Sequence, residues 1–134
     1  MSEGMTIGEL ARATGTKPVT VRYYERIGLL PAPRRSAGNY RVYEAEHRDR
    51  LQFVRRCREL GFALDQVRDL LRLASRHDQA CDAVDRLTGA HLITIERKID
   101  DLRRLAQRLR RIKRACRGGG TIADCRILDA LASP

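Results

Sequence analysis

The chain has 134 residues, enough for one small domain with an extension or for two small modules. Charged residues make up 33% and aromatics 4%, with no Trp, and 27 Lys+Arg against 17 Asp+Glu give a net charge of +10. That balance favours a polyanionic partner, nucleic acid first and an anionic membrane second, while no apolar stretch reaches the ~18 residues that a bilayer requires, so nothing is expected to span a membrane, and nucleic acid rather than a membrane is the expected partner.

The start, MSEGMTIGELARATG, carries Glu3 and Glu9 and no long apolar run, so it does not read as a secretory signal and a cytoplasmic chain is expected. Thr6 with Glu9 three residues on is a capping-box spacing for a helix over residues 6–13, broken at Gly15. A second helix is predicted from Pro18, which fits a first helical position, to about Ile27. Gly28, Pro31 and Pro33 stop it, and the pair forms a helix-turn-helix candidate. Residues 32–43, APRRSAGNYRVY, change character: Gly38-Asn39 is a turn signal and 40–43 alternates like a strand, so an Arg-rich β-hairpin wing is expected. Leu51, Phe53, Val54 and Leu60 then mark one helix, ended by Gly61, and Leu64, Val67, Leu70, Leu71 and Leu73 another.

From Cys81 to about Arg117 one long amphipathic helix is predicted. Ile95, Leu102 and Leu109 repeat every seven residues on the row that also holds Cys81 and Cys116; Val84, His91, Leu105 and Ile112 form a neighbouring row, interrupted by Lys98. The 35 residues between the two cysteines span roughly 52 Å of helix, so their thiols meet only across an antiparallel pair of chains. Charge supports that direction. From Asp78 to Asp101 there are six acidic residues (78, 82, 85, 96, 100, 101) and three basic ones (86, 97, 98); from Arg103 to Arg117 there are eight basic and no acidic residues. Macrodipole matching within one helix is the alternative reading. Gly118-Gly119-Gly120 ends the helix, a loop carries Cys125, and 126–132 form a last short helical turn or two. The expected organisation is mainly α: a winged helix-turn-helix domain over 1–75, a long antiparallel coiled-coil dimerisation helix over 76–117, and a metal-binding loop and short helix over 118–134.

Two groups of residues carry the chemistry. Thr20, Arg22, Tyr23 and Tyr24 in the second helix can reach base edges or phosphates. Arg34, Arg35, Tyr40 and Arg41 in the wing can follow the phosphate backbone, as can Arg55, Arg56 and Arg58. The competing reading is a solvated charged face above a small core that takes one of Tyr23 and Tyr24. Cys81, Cys116 and Cys125, reduced in a chain without a signal, form a soft donor set for Hg, Cd, Pb or Zn, with His77 as a candidate fourth donor and Arg110, Arg114 and Arg117 to offset charge. A disulfide or structural pair for Cys116 and Cys125, and simple burial for Cys81, compete with it. Cys57 reads as a packing residue or an adventitious thiol, and His91, inside the coil stripe, as a packed core histidine. No nucleophile–base pair, phosphate loop or paired carboxylates stand out, so an enzyme is not expected.

In order along the chain, TIGELARATG, TVRYYERIGLL, GNYRVYEAEHRDRLQFVRRCRELGF and ALDQVRDLL resemble the winged-helix DNA-binding domain of the MerR family of transcriptional regulators. CDAVDRLTGAHLITIERKIDDLRRL and ADCRILDAL are most similar to its cadmium- and lead-responsive branch, and the three-cysteine spacing is also similar to the mercury sensor. The resemblance implies a homodimer on double-stranded promoter DNA. Metal binding distorts the duplex and realigns the promoter for RNA polymerase, activating transcription. It assigns DNA contacts to Arg22, Tyr23, Tyr40, Arg41 and Arg58 and metal ligands to Cys81, Cys116 and Cys125. A Cys at position 81 implies a divalent ion, and Arg117 and glycines where zinc sensors carry a Cys and a His put Pb, Cd or Hg ahead of Zn. Lys17 stands where the family carries a Ser or Asn cap, a loss of about 1 kcal/mol unless Thr16 substitutes. A thiol-based redox or electrophile sensor on the same scaffold, switched by a Cys116–Cys125 disulfide, is the alternative function.

Overall fold

Thr6 opens the first helix, α1 (Ile7–Thr14), by a reciprocal pair of bonds at 3.2 Å: its hydroxyl accepts from the Glu9 N–H, and the Glu9 carboxylate accepts from the Thr6 N–H. The bond from the Thr6 backbone holds the Glu9 carboxyl below its ordinary range. Gly15 closes the helix in the left-handed conformation (φ 63°), its N–H returning to the Ala11 and Arg12 carbonyls. The second helix, α2 (Pro18–Arg26), starts at its proline. Lys17 makes no capping bond there, and Thr16 does not take its place, because its hydroxyl is engaged with Thr14.

The wing is a two-stranded antiparallel hairpin, β1 (Arg34–Arg35) with β2 (Arg41–Val42), in which Arg34 lies opposite Val42 and Arg35 opposite Arg41. Asn39 turns it at φ 65°, and the Ser36 N–H donates to the Tyr40 carbonyl at 2.8 Å. The strand is shorter than the alternation over 40–43 suggests. Tyr40 belongs to the turn, and Tyr43 exchanges backbone bonds with Met5 at 2.8 and 2.6 Å, fastening the start of the chain to the hairpin. Two further helices follow, α3 (Ala45–Glu59) and α4 (Leu64–Ala74).

This computed structural model describes residues 4–116 and 118–134, in two compact units that divide between Val84 and Asp85. In the first, Leu10 of α1, Val21 of α2, Leu51 of α3, Leu30 and Tyr43 form a core with Ala11, against which Met5, Ile7 and Tyr24 pack. Each large side chain so buried contributes about 1.5–3 kcal/mol, which fixes α2 and the wing to one frame. Val54, Cys57, Phe62, Val67 and Leu70 are further buried residues of α3, α4 and their connection, and α3 also buries His47. Cys57 is thus a packing residue, and burial pushes its thiol up, away from thiolate chemistry.

The long helix, α5 (Asp82–Arg114), has 33 residues and none of them is buried. It is shorter than the expected 81–117, of which Arg117 lies outside the described residues. Its last turn tightens, with the Ala115 and Cys116 N–H groups donating three residues back to the Ile112 and Lys113 carbonyls. Cys81 therefore precedes the helix and Cys116 follows it. Leu92, Ile93, Leu102, Leu105 and Leu109 are each at least half exposed. After Gly118–Gly120 come a 3₁₀ turn (Ile122–Asp124) and the short helix α6 (Arg126–Ala132). Among the described residues no helix is long and apolar enough to cross a membrane.

Candidate nucleic-acid interface and thiol centre

Burial of Val21 orients α2. Tyr24 turns inward onto the core, whereas Tyr23 remains 40% exposed, its ring centroid 6.0 Å from that of Tyr24. One tyrosine of the pair is thus the core residue, and the other is free to meet a ligand. The Arg26 guanidinium lies over the Tyr23 ring at 5.4 Å, a contact that presents cation and ring together.

Two hollows collect most of the residues singled out from sequence. Thr20 and Tyr24 of α2 meet Arg55 and Arg58 of α3 around a cleft of about 480 Å³ that Lys17 also lines. Arg22 meets Arg35, Tyr40 and Arg41 of the wing around a second, of about 280 Å³. Arg34 is left out of both, since its Nε donates to the Glu44 carboxylate at 2.6 Å. Arg55 and Arg58 are partly committed as well. One Nη of Arg55 donates to the Thr14 carbonyl at 2.9 Å while its Nε pairs with Glu59 at 3.1 Å, and one Nη of Arg58 donates to the Phe62 carbonyl at 2.7 Å. Their remaining fork nitrogens are thereby pre-oriented, which lowers the entropy lost on meeting a phosphate.

Glu25 and Lys17 belong to this surface and were not singled out from sequence. Glu25, near the end of α2, accepts from the Tyr43 hydroxyl at 3.0 Å and pairs with the Arg41 Nε at 3.4 Å. Burial first, and donation to Glu25 second, push the Tyr43 phenol up to about 12. Nothing local in RYYER marks this role, because the partners lie 16 and 18 residues on. Lys17, which makes no capping bond at the start of α2, lines the first cleft instead.

All three outer thiols are free, Cys81 exposed and Cys116 and Cys125 half-buried. Cys81 and the exposed His77 lie in the first unit, in and after the turn that follows α4. In the second unit Cys116 lines a hollow of about 480 Å³ with Gly118, Gly119, Asp124 and Arg126. Cys125 stands between the 3₁₀ turn and α6, its carbonyl accepting the Asp129 N–H at 3.2 Å. Within neither unit do three described His, Cys, Asp or Glu side chains converge as a metal site. Among the described residues one chain by itself therefore assembles no three-donor site.

The chain matches the family described as MerR HTH family regulatory protein over residues 5–74, and MerR, DNA binding, over residues 48–112. It is 39% identical to the mercuric resistance operon regulatory protein of Bacillus cereus over 125 residues, 93% of this chain and 95% of that one. Its structure is similar to that of the lead(II)-bound transcription regulator PbrR691 from Ralstonia metallidurans CH34, with a TM-score of 0.84 and 42% identity over 96% of this chain and 99% of that chain. It also resembles the mercury(II)-bound dual function regulator MerR of Bacillus megaterium MB1, with a TM-score of 0.73 and 33% identity over 96% and 100% of the two chains. Helix-turn-helix, wing and most of α5 thus fall inside family matches, and relatives align nearly end to end: the chain belongs to the MerR family of transcription regulators, which are DNA-binding proteins and not enzymes.

Proposed function

We propose that this chain is a metal-responsive regulator that binds promoter DNA as a homodimer and activates transcription by distorting the duplex when a soft divalent ion is captured. The observation that carries the reading is α5: a 33-residue helix with no buried residue, its apolar rows uncovered, and free thiols just beyond both of its ends. A second copy running the opposite way covers those rows and sets Cys81 of one chain beside Cys116 and Cys125 of the other. Charge agrees with that direction. Arg103 and Arg104 pair with Asp100 and Asp101, but Arg108, Arg110, Arg111, Lys113 and Arg114 have no ion-pair partner among the described residues. The acidic first half of an antiparallel partner supplies one.

Three thiolates suit Pb, Cd or Hg ahead of Zn, and such an ion supplies the link between chains that neither unit makes alone. His77 stands near Cys81 in sequence as a candidate further donor. Titration with each ion is expected to produce thiolate-to-metal charge-transfer absorption saturating at one ion per chain, with Pb, Cd or Hg displacing Zn. Saturation without that absorption, or undiminished binding after the thiols are alkylated, would overturn the site. Induction that needs an oxidant and no metal would instead establish the redox reading.

On the DNA side, Arg22, Tyr23, Tyr40, Arg41, Arg35, Arg55 and Arg58 contact the duplex, Thr20 and Tyr24 support them, and Arg34 steadies the wing. With RNA polymerase on the same promoter, bending and untwisting bring misaligned promoter elements into register. Neutralising several phosphates makes affinity fall about a thousandfold between roughly 50 and 200 mM salt. A flat salt profile in a binding titration would remove this surface from the interface.

A further inference from the structure

We propose that Glu25 is a positioning residue that aims Arg41 of the wing at the DNA backbone and locks wing and α2 into one rigid reading surface; this rests on the DNA-binding function above. Glu25 sits in the last turn of α2, its side chain only 16% exposed. Its two oxygens are divided. One accepts from the hydroxyl of Tyr43, a fully buried side chain of the core, at 3.0 Å; the other holds the Nε of Arg41 at 3.4 Å. The carboxylate is thus anchored to the core at one oxygen and holds an exposed arginine at the other. Nε is the nearest Arg41 nitrogen to that carboxylate, and no other ion pair of Arg41 occurs among the described residues, so its planar fork can still offer Nη donors to a second acceptor. Arg41 lines one cleft with Arg22 and Arg35. Three guanidinium groups repel one another in the free protein, and a single half-buried carboxylate offsets that repulsion without occupying the face that a phosphate would meet.

The sign of the effect separates this role from bulk electrostatics. An acid beside a polyanion weakens binding through the field, so removing its charge should tighten the complex. Positioning requires the reverse. The test uses the full chain and a duplex selected by the wild-type protein from random sequence. Glu25→Gln keeps the size of the side chain and an oxygen to accept from Tyr43 but loses the charge that holds Arg41. It is expected to weaken binding about tenfold, and to have no further effect in an Arg41→Ala background, as two members of one unit behave. Arg41→Lys keeps the charge but not the fork and should lose a similar factor, which gives a second reading that does not depend on how Glu25→Gln folds. Tyr43→Phe, which spares the Glu25–Arg41 pair, should lose less than either.

Equal or tighter binding by Glu25→Gln would overturn the proposal, as would the same loss with and without Arg41, or full affinity in Arg41→Lys. Failure of the wild-type chain to select any duplex would overturn the DNA-binding function itself.

Discussion

Leu102→Lys is expected to split the dimer and abolish specific DNA binding while leaving the first unit folded. Leu102 is 64% exposed in one chain, and Leu105 and Leu109 nearby are 50% and 65% exposed, so α5 carries an apolar stripe with nothing over it. In an antiparallel pair each substitution occurs twice, and losing about 1.5–3 kcal/mol for each buried leucine weakens association about a thousandfold, before the cost of burying the ammonium. The core that fixes α2 and the wing contains no residue of α5. Circular dichroism should therefore show a folded protein, sedimentation a monomer, and gel shift no complex with a two-half-site duplex. A dimer that persists at micromolar concentration would show that the leucine row is not the seam.

Cys81→Ser, Cys116→Ser and Cys125→Ser should each reduce metal-induced transcription to its basal level and leave operator affinity within about twofold, since none of the three lines either arginine-bearing hollow or belongs to the core. Serine keeps the shape but offers a hard, protonated oxygen to a soft ion, so metal affinity falls by about a hundredfold or more. Cys57→Ser is the control. Its thiol is 7% exposed and raised by burial, and its replacement should lower stability but spare induction. A reporter assay across the four variants, with affinities measured in parallel, gives the pattern. Full induction in any one of the three outer variants would remove that thiol from the site.

Local chemistry made much of the fold legible. The Thr6–Glu9 box, Pro18, the Gly38-Asn39 turn and the glycine ends each act within a few residues, and each stands where the spacing put it. The heptad rows likewise announced α5, because a periodic apolar stripe is a property of consecutive residues. What stayed hidden depends on contacts made across the fold. Arginines are alike in a sequence holding so many of them until folding brings some to carbonyls far away, as with Arg55 to Thr14 and Arg50 to Leu29. Glu25 was hidden for the same reason. The end of α5 at Arg114 was missed because Ala115 and Cys116 suit a helix, and only their backbone bonds show the turn tightening. The thiol centre is the extreme case: if the three sulfurs gather only in the assembled pair, a single chain cannot display it.

Gly118, Gly119 and Gly120 all adopt positive φ, at 74°, 77° and 80°, and a Cβ built on any of them meets nothing within 4 Å. Space does not select glycine there; backbone freedom does. Such a stretch loses more entropy when it is fixed than any other three residues would. If capture of an ion fixes the loop between Cys116 and Cys125, that loss is subtracted from the affinity of the sulfurs. The concentration at which the regulator responds can then be tuned at positions that carry no donor atom, which lets a lineage adjust its alarm threshold while leaving the choice of ion untouched.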